Sequence, residues 1–228
     1  MSAPQVVPIP LGFVYAFLVI QDERAVLVDT GLASSATRIL RVAARHGITP
    51  QQIKLIILTH SHTDHTGSAR VLQDICQAPI ALHPLEAPLL VNGTNGPLKP
   101  TGAIGRMIAS ASKLESRVKP VPLYPDLFLA DGTYLAEYGI DARIVHTPGH
   151  TPGSLSVITS TGDALIGDLL LRMPLRFGRP SYPFFIDDLA ALKSSIRTIL
   201  DLKPANLYAA HGGYLAIDAV LRWFPLNA

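Results

Sequence analysis

Residues 55–67 read Leu55-Ile56-Ile57-Leu58-Thr59-His60-Ser61-His62-Thr63-Asp64-His65-Thr66-Gly67. The first four form a short, continuously apolar run, which suits a strand buried on both faces. The polar cluster that follows then falls at the strand's C-terminal edge, where open α/β sheets place their sites. Three histidines and an aspartate within six residues have no packing rationale, and such a loop is electrostatically awkward without a cation. Neutral imidazole and carboxylate are the usual ligands of zinc and of borderline divalent ions. Alternation through an extended loop would turn His60, His62 and Asp64 to related sides.

Upstream, the apolar run from Leu11 to Ile20 reads as a strand. Val14–Ile20 and Ala25–Val28, separated by the polar turn Gln21-Asp22-Glu23-Arg24, read as a β-hairpin ending at Asp29-Thr30-Gly31. Ser34 or Ser35 can cap a helix running to about His46, with Gly47 as its stop. Downstream, a helix over 68–76 and a strand over 79–82 are expected. Residues 83–125 change character, with seven prolines and two Asn-Gly turn signals. A helix over 103–118 with Ile104, Met107, Ile108, Ala111 and Leu114 on one side makes this an excursion over the core rather than a linker. Strand patterns resume at 143–145, 155–159, 164–166 and 207–210. Helices are expected over 187–200, with Asp187 or Asp188 at its start, and over 217–224. Strands and helices alternate once in each half, which favours an α/β sandwich with helices outside and sheets within.

Three further candidates share the location of the first cluster. His150 lies in His146-Thr147-Pro148-Gly149-His150-Thr151-Pro152-Gly153-Ser154, Asp168 follows Gly167, and His211 precedes two glycines. Each sits just past a strand. A lone histidine there is ordinarily a hydrogen-bonded structural residue. The shared strand-exit position is what would bring distant ligands to one edge of the sheets.

The chain has 228 residues, 48% hydrophobic and 16% charged, which is too apolar for a disordered chain and long enough to bury a sizeable core. One domain over 1–228 is expected. A net charge of +2 argues against a nucleic-acid-coating protein. The single cysteine excludes an intrachain disulfide or a cysteine-based zinc site. Leu11–Ile20 is half of the roughly 20 residues a spanning helix needs. No Lys or Arg precedes it, as a signal peptide would require, so no membrane association and a cytoplasmic location are expected.

In the order HxHxDH, TPGHTPGS, Gly-Asp, His-Gly, the sequence resembles the metallo-β-lactamase-fold hydrolases, over almost its whole length, in a short form of the glyoxalase II and lactonase branch. The resemblance implies an αββα sandwich of two mixed sheets flanked by helices. It implies a dinuclear centre in which His60, His62 and His150 hold one metal, Asp64, His65 and His211 hold the second, and Asp168 bridges them. A hydroxide shared by the metals would attack a carbonyl, with Asp64 and Asp168 supplying negative charge and holding the pair. Zinc is the default ion, and the same ligands accept iron or manganese. Asp29 resembles a family position that orients a ligand. A plain strand-terminating turn is the alternative.

The resemblance also narrows the reaction. Class B β-lactamases place Cys or Ser where this chain has Asp168. Flavodiiron reductases have Glu at the position of His62. Full-length glyoxalase II carries a helical region after the last histidine, where only 17 residues follow His211. Quorum-quenching lactonases have Tyr where this chain has Leu171. The expected substrate is a small or medium ester, thioester or lactone. The 83–125 excursion and the 169–185 loop would form the pocket walls. A phosphodiesterase or nuclease is the alternative, which Arg172, Arg176 and Arg179 would favour, although a solvated loop also accounts for them. A binding or signalling protein on a hydrolase scaffold is a third class, against which seven retained ligands argue. Tyr182, Phe184 and Phe185 suit either pocket or core. His46, His83 and His146 read as non-ligands. The sequence does not give the oligomeric state.

Overall fold

A computed structural model describes residues 2–115, 122–173 and 178–224. The first sheet contains β1 (Gln5–Pro10), β2 (Tyr15–Gln21), β3 (Arg24–Val28), β4 (Ile53–Ile57), β5 (Ile80–Leu82) and β6 (Leu127–Phe128), in that spatial order. Its first three strands are antiparallel and the remainder run parallel. The second sheet draws on β7 (Ala142–His146), β8 (Leu155–Thr159) and β9 (Asp163–Leu165). A small hairpin, β10 (Leu171–Met173) with β11 (Arg179–Ser181), stands apart. The second sheet is completed by β12 (Asn206–Ala209) and β13 (Gly213–Leu215), in the order β13-β12-β9-β8-β7. It is also mixed, with β12 parallel to β9 and the other pairs antiparallel.

Alternation along the strands builds the layers. Phe17, Val19, Val26, Val28, Leu55 and Ile57 face Ile144, Leu155, Val157 and Leu165, forming the core between the sheets. The alternate residues Leu18, Leu27, Ile56 and Leu58 face the other way. There they meet Ile39 and Ala43 of α1 (Ala36–Arg45). A one-turn helix, α2 (Thr63–Thr66), leads into α3 (Ala69–Cys76), whose Leu72 and Cys76 join the same cluster. The excursion contributes α4 (Ala87–Asn92) and α5 (Gly102–Glu115). On the far side, Ile158, Ala164 and Leu207 pack under Leu192, Ile196 and Ile199 of α6 (Leu189–Asp201) and Val220 of α7 (Ile217–Trp223). The result is the expected αββα sandwich. Both sheets are covered on both faces, which is why β4 carries an unbroken apolar run.

Several local expectations change. Gln5–Pro10 lies outside the strands expected from sequence, yet it pairs with β2 along its whole length. Pro8 and Pro10 are exposed on this edge strand, where a missing N–H breaks no ladder. Leu11–Val14 is a turn, closed by Leu11 N–H donating to the Val14 carbonyl, so the strand of the long apolar run begins only at Tyr15. Ser35 precedes α1, but its side chain makes no cap bond. Instead Ser68 Oγ accepts from the Ser35 and Ala36 N–H groups, tying α1 to the start of α3. Of the two aspartates offered for α6, Asp188 caps it, accepting from Ala190 and Ala191. The expected helix over 103–118 begins at Gly102, and its positions from 116 onward lie outside the described residues. Among the described residues no helix is long and apolar enough to cross a membrane.

Candidate metal centre

The seven predicted ligands converge at one end of the two sheets. His60 follows β4, His150 lies between β7 and β8, Asp168 follows β9 and His211 follows β12. Asp64 and His65 do not lie in an extended loop as expected. They sit on α2, so the helical turn, and not strand alternation, presents them. In the first group, His150 Nε2 lies 3.2 Å from His60 Nε2 and 3.0 Å from His62 Nδ1. In the second, His211 Nε2 lies 3.3 Å from Asp64 Oδ2, and His65 Nε2 lies 3.9 Å from the same oxygen. Asp168 stands between them. Its Oδ2 is 3.6 Å from His150 Nε2 and 3.4 Å from His211 Nε2, and its Oδ1 is 3.6 Å from His65 Nε2.

The outer nitrogens fix which atoms point inward. Thr59 N–H and Thr59 Oγ1–H both donate to Asp29, so Thr59 Oγ1 is left to accept from His60 Nδ1. His65 Nδ1 donates to Asp29 Oδ2 at 2.9 Å. His150 Nδ1 donates to the Phe185 carbonyl, and His211 Nδ1 to the Phe13 carbonyl. With the outer nitrogen protonated, each of these rings, once neutral, turns its Nε2 lone pair inward. Lone pairs of His60 and His150 facing each other at 3.2 Å repel unless a cation lies between them. His65 Nε2 and Asp168 Oδ1 are buried without a hydrogen-bond partner. An orphaned buried polar atom costs about 1–3 kcal/mol, and a shared cation would satisfy both. The donor set therefore fits divalent metal binding.

Electrostatics agree. Burial holds His60 well below the ordinary imidazole range, aided by the charges of neighbouring rings, and lowers His62 to about 3. Burial also lowers His150. His65 behaves oppositely: burial opposes its charge, but Asp29, Asp64 and Asp168 prevail and raise it to about 10. His211 is raised in the same way, burial being outweighed by Asp168 and Asp64. Burial disfavours the Asp64 and Asp168 carboxylates, yet the surrounding imidazoles keep both below the usual range. With only the chain's own charges present, the cluster gathers protons that a metal would displace.

Asp29 is completely buried and adopts φ +60°, a left-handed conformation uncommon for a residue with a side chain. This turns its carboxylate onto Thr59 and His65, so Asp29 does orient a candidate ligand. Gly149 serves the other side. Its φ is +136°, and an added Cβ would lie 2.3 Å from Leu192 N, so only glycine lets the start of α6 approach the His150 loop. Thr59 and Phe13 are functional positions beyond those expected from sequence. Thr59 was legible as the hydroxyl between strand and first ligand, whereas Phe13 acts through its carbonyl and leaves no side-chain signal.

A cavity of about 120 Å³ adjoins the His62–His150 side. Leu89, Pro97, Leu98, Pro152, Phe185 and Ile186 contribute apolar walls, and Lys99 at its edge pairs with Asp187 at 2.6 Å. The excursion thus reaches the site through residues before α5, docked on the 169–185 loop by Thr101 N–H to the Phe184 carbonyl. Ile104 and Met107 of α5 are exposed and do not line this cavity. Tyr182 meets Trp223 edge to face against the core under α6, while Phe185 lines the cavity. Arg172 and Arg179 are exposed, and Arg176 lies outside the described residues. His46 ends α1 exposed, and His83 and His146 stack on each other outside the cluster.

A four-layer sandwich with this cluster at its strand ends is the frame of a metallo-hydrolase. The chain belongs to the metallo-beta-lactamase superfamily, whose family profile matches residues 9–211. Its relatives include the probable metallo-hydrolase YflN of Bacillus subtilis (strain 168), 27% identical over 208 residues that cover 82% of this chain and 75% of that one. The probable metallo-hydrolase MJ0888 of Methanocaldococcus jannaschii is 26% identical over 205 residues, covering 86% of each. Among solved structures, TTHA1623 in a di-iron-bound form superposes with a TM-score of 0.73 at 27% identity, covering 96% of this chain and 99% of that one. Superfamily membership and the donor set together support a metal-dependent hydrolase.

Proposed function

We propose that the protein is a dinuclear hydrolase of small or medium esters, thioesters or lactones. His60, His62 and His150 would hold one ion, Asp64, His65 and His211 the other, with Asp168 shared between them. The observation that carries this reading is the inward convergence of five imidazole nitrogens and two carboxylates while four outer ring nitrogens are spent on acceptors of the chain. When bound, a divalent pair supplies Lewis-acid polarisation of a carbonyl and activation of water at neutral pH.

The chain's own groups then have separate tasks. Asp29 and Thr59 hold the tautomers of His65 and His60. Asp168 reaches both halves and sets their separation. The cavity beside His62 and His150 excludes water from one side and receives the acyl group. Its apolar walls, and the neutralisation of Lys99 by Asp187, favour an uncharged acyl part over a polyanion. Zinc suits five imidazoles and two carboxylates, as do iron and manganese, and the di-iron-bound relative supports iron as the competing assignment. Elemental analysis of metal-supplemented protein, paired with a panel of ester, thioester, lactone, β-lactam and phosphodiester substrates, tests the proposal. Two ions per chain with turnover confined to acyl substrates is the expected result. One ion or fewer, or turnover confined to phosphodiesters, overturns it.

A further inference from the structure

Among the described residues, Glu86 is a buried acidic side chain for which the site described above has no use. It closes the single 3-10 turn Pro84–Glu86 between β5 and α4 and is 0% exposed. A carboxylate so buried is costly unless strong donors surround it. Three do, and they come from two different loops. Glu86 Oε2 accepts from Ser61 N–H at 2.9 Å and from Ser61 Oγ–H at 2.6 Å. Glu86 Oε1 accepts from Gly153 N–H at 2.9 Å. Ser61 is the residue between His60 and His62, and Gly153 lies three positions after His150. One carboxylate therefore joins the two loops that carry the three-histidine half of the centre.

The two histidines left outside the cluster support this brace. His83 Nδ1 accepts from Leu85 N–H at the start of the turn, and its ring stacks on His146 at 4.3 Å and 3°. His146 Nε2 in turn donates to the Pro152 carbonyl, beside Gly153. The other half of the centre is held differently. Asp29 accepts from His65, the N–H and hydroxyl of Thr30 both donate to the His65 carbonyl, and Phe13 fixes His211. Gly153 also has no room for a side chain: a Cβ there would lie 2.7 Å from Glu86 Cγ and 2.9 Å from Oε1.

We infer that Glu86 is a positioning residue that sets the spacing of the His60–His62 and His150 loops, and so governs metal affinity at the three-histidine site and not at the Asp64–His65–His211 site. The inference rests on the two-site assignment proposed above. Glu86→Gln keeps the shape but removes the charge and turns an amide NH₂ toward one of the N–H donors, so one loop loses its partner. A uniformly structural role would weaken both sites alike.

The test is a cobalt(II) titration followed by visible absorption, with zinc competition against a chelator, in two single-site backgrounds. His211→Ala leaves the three-histidine site, and His62→Ala leaves the other. Adding Glu86→Gln is expected to raise the dissociation constant about tenfold or more in the first background, as loss of outer-shell partners does, and less than about threefold in the second. Gly153→Ala, which displaces the carboxylate from the opposite side and demands no unusual backbone, is expected to do the same. It decides the matter should Glu86→Gln not fold. Equal weakening in both backgrounds, or none in the first, overturns the inference. Wild-type protein that saturates with one ion overturns the two-site assignment instead, and the response of the three-histidine site still decides for or against Glu86.

Discussion

Asp29 Oδ2 and His65 Nδ1 lie 2.9 Å apart with both side chains wholly buried. The pair couples the end of β3 to the helical turn α2, and Thr59 extends the coupling to His60. Asp29→Asn tests the role of its charge, because asparagine tolerates the same left-handed backbone. Metal affinity is expected to fall about 10–100-fold, with little change in fold. Asp29→Ala adds backbone strain of about 1–2 kcal/mol and is expected to lower thermal stability as well. Chelator competition and thermal denaturation separate the two effects. Unchanged affinity in Asp29→Asn would contradict the role assigned to the pair.

Asp168 reaches His65, His150 and His211 at once. Asp168→Ala is expected to reduce turnover by more than about 100-fold, beyond the effect of losing an outer-shell partner, and to loosen metal binding. Asp168→Asn should be nearly as harmful, since it keeps the shape and loses the charge. Steady-state kinetics alongside metal content check this. Wild-type turnover in Asp168→Ala with two metals bound would refute the shared-ligand assignment.

Metal uptake should release protons. His65, raised to about 10, and His211, also raised, carry protons near neutral pH in the metal-free chain. Charged His65 stabilises that chain fully below its ordinary 6.5, and this contribution is lost as pH rises toward about 10. Metal affinity must move the other way, rising about tenfold per pH unit for each proton displaced. Calorimetry in buffers of different ionisation enthalpy measures the release directly. Uptake without proton release between pH 7 and 8 would contradict the charge states described.

The contact between Gly149 and Leu192 makes a prediction about folding and site together. A methyl at Gly149 meets the Leu192 backbone and demands an unfavourable φ. Gly149→Ala is expected to cost at least about 2 kcal/mol from strain and overpacking, and to displace His150 from His62. Denaturant melts and metal content should fall together. A stable variant with full metal content would show that α6 does not position this loop.

The layers were legible because period-two alternation and two-sided burial leave unbroken apolar runs, as in Leu55–Leu58. Of the candidate ligands, the His60–His65 cluster stood out because so many imidazoles and carboxylates together have no packing rationale, whereas His150, Asp168 and His211 stood out only through their shared strand-exit position and the family resemblance. What escaped was tertiary. The prolines of Gln5–Pro10 hid an edge strand that a missing N–H does not harm. The hairpin of β10 and β11 has strands of three residues, too short to show an alternation. Glu86 lies in an apolar stretch, and only the folded chain brings Ser61 and Gly153 onto it. Asp64 and His65 sit on a helical turn where a loop is expected from sequence, because a one-turn helix has too few residues to show a period.

The proposed preference for acyl over phosphodiester substrates is tested at the cavity beside His62 and His150. A nuclease must hold a polyanion, and its affinity should fall steeply with salt as counterions are released. Here the walls beside His62 and His150 are Leu89, Leu98, Pro152, Phe185 and Ile186, and the neighbouring Lys99 is paired with Asp187. On the proposed reading this cavity of about 120 Å³ receives the acyl group. Leu98→Trp is expected to fill it, raising KM for acyl esters at least about tenfold, the loss of roughly 1.4 kcal/mol of binding, with a smaller change in kcat. Arg172→Ala and Arg179→Ala, both exposed in the wild type, are expected to leave ester turnover within about threefold, well under the tenfold that 1.36 kcal/mol represents. Steady-state kinetics at low and physiological salt measure all three variants. Efficient, salt-sensitive phosphodiester cleavage that disappears with the arginines, while Leu98→Trp leaves acyl hydrolysis untouched, would reverse the assignment.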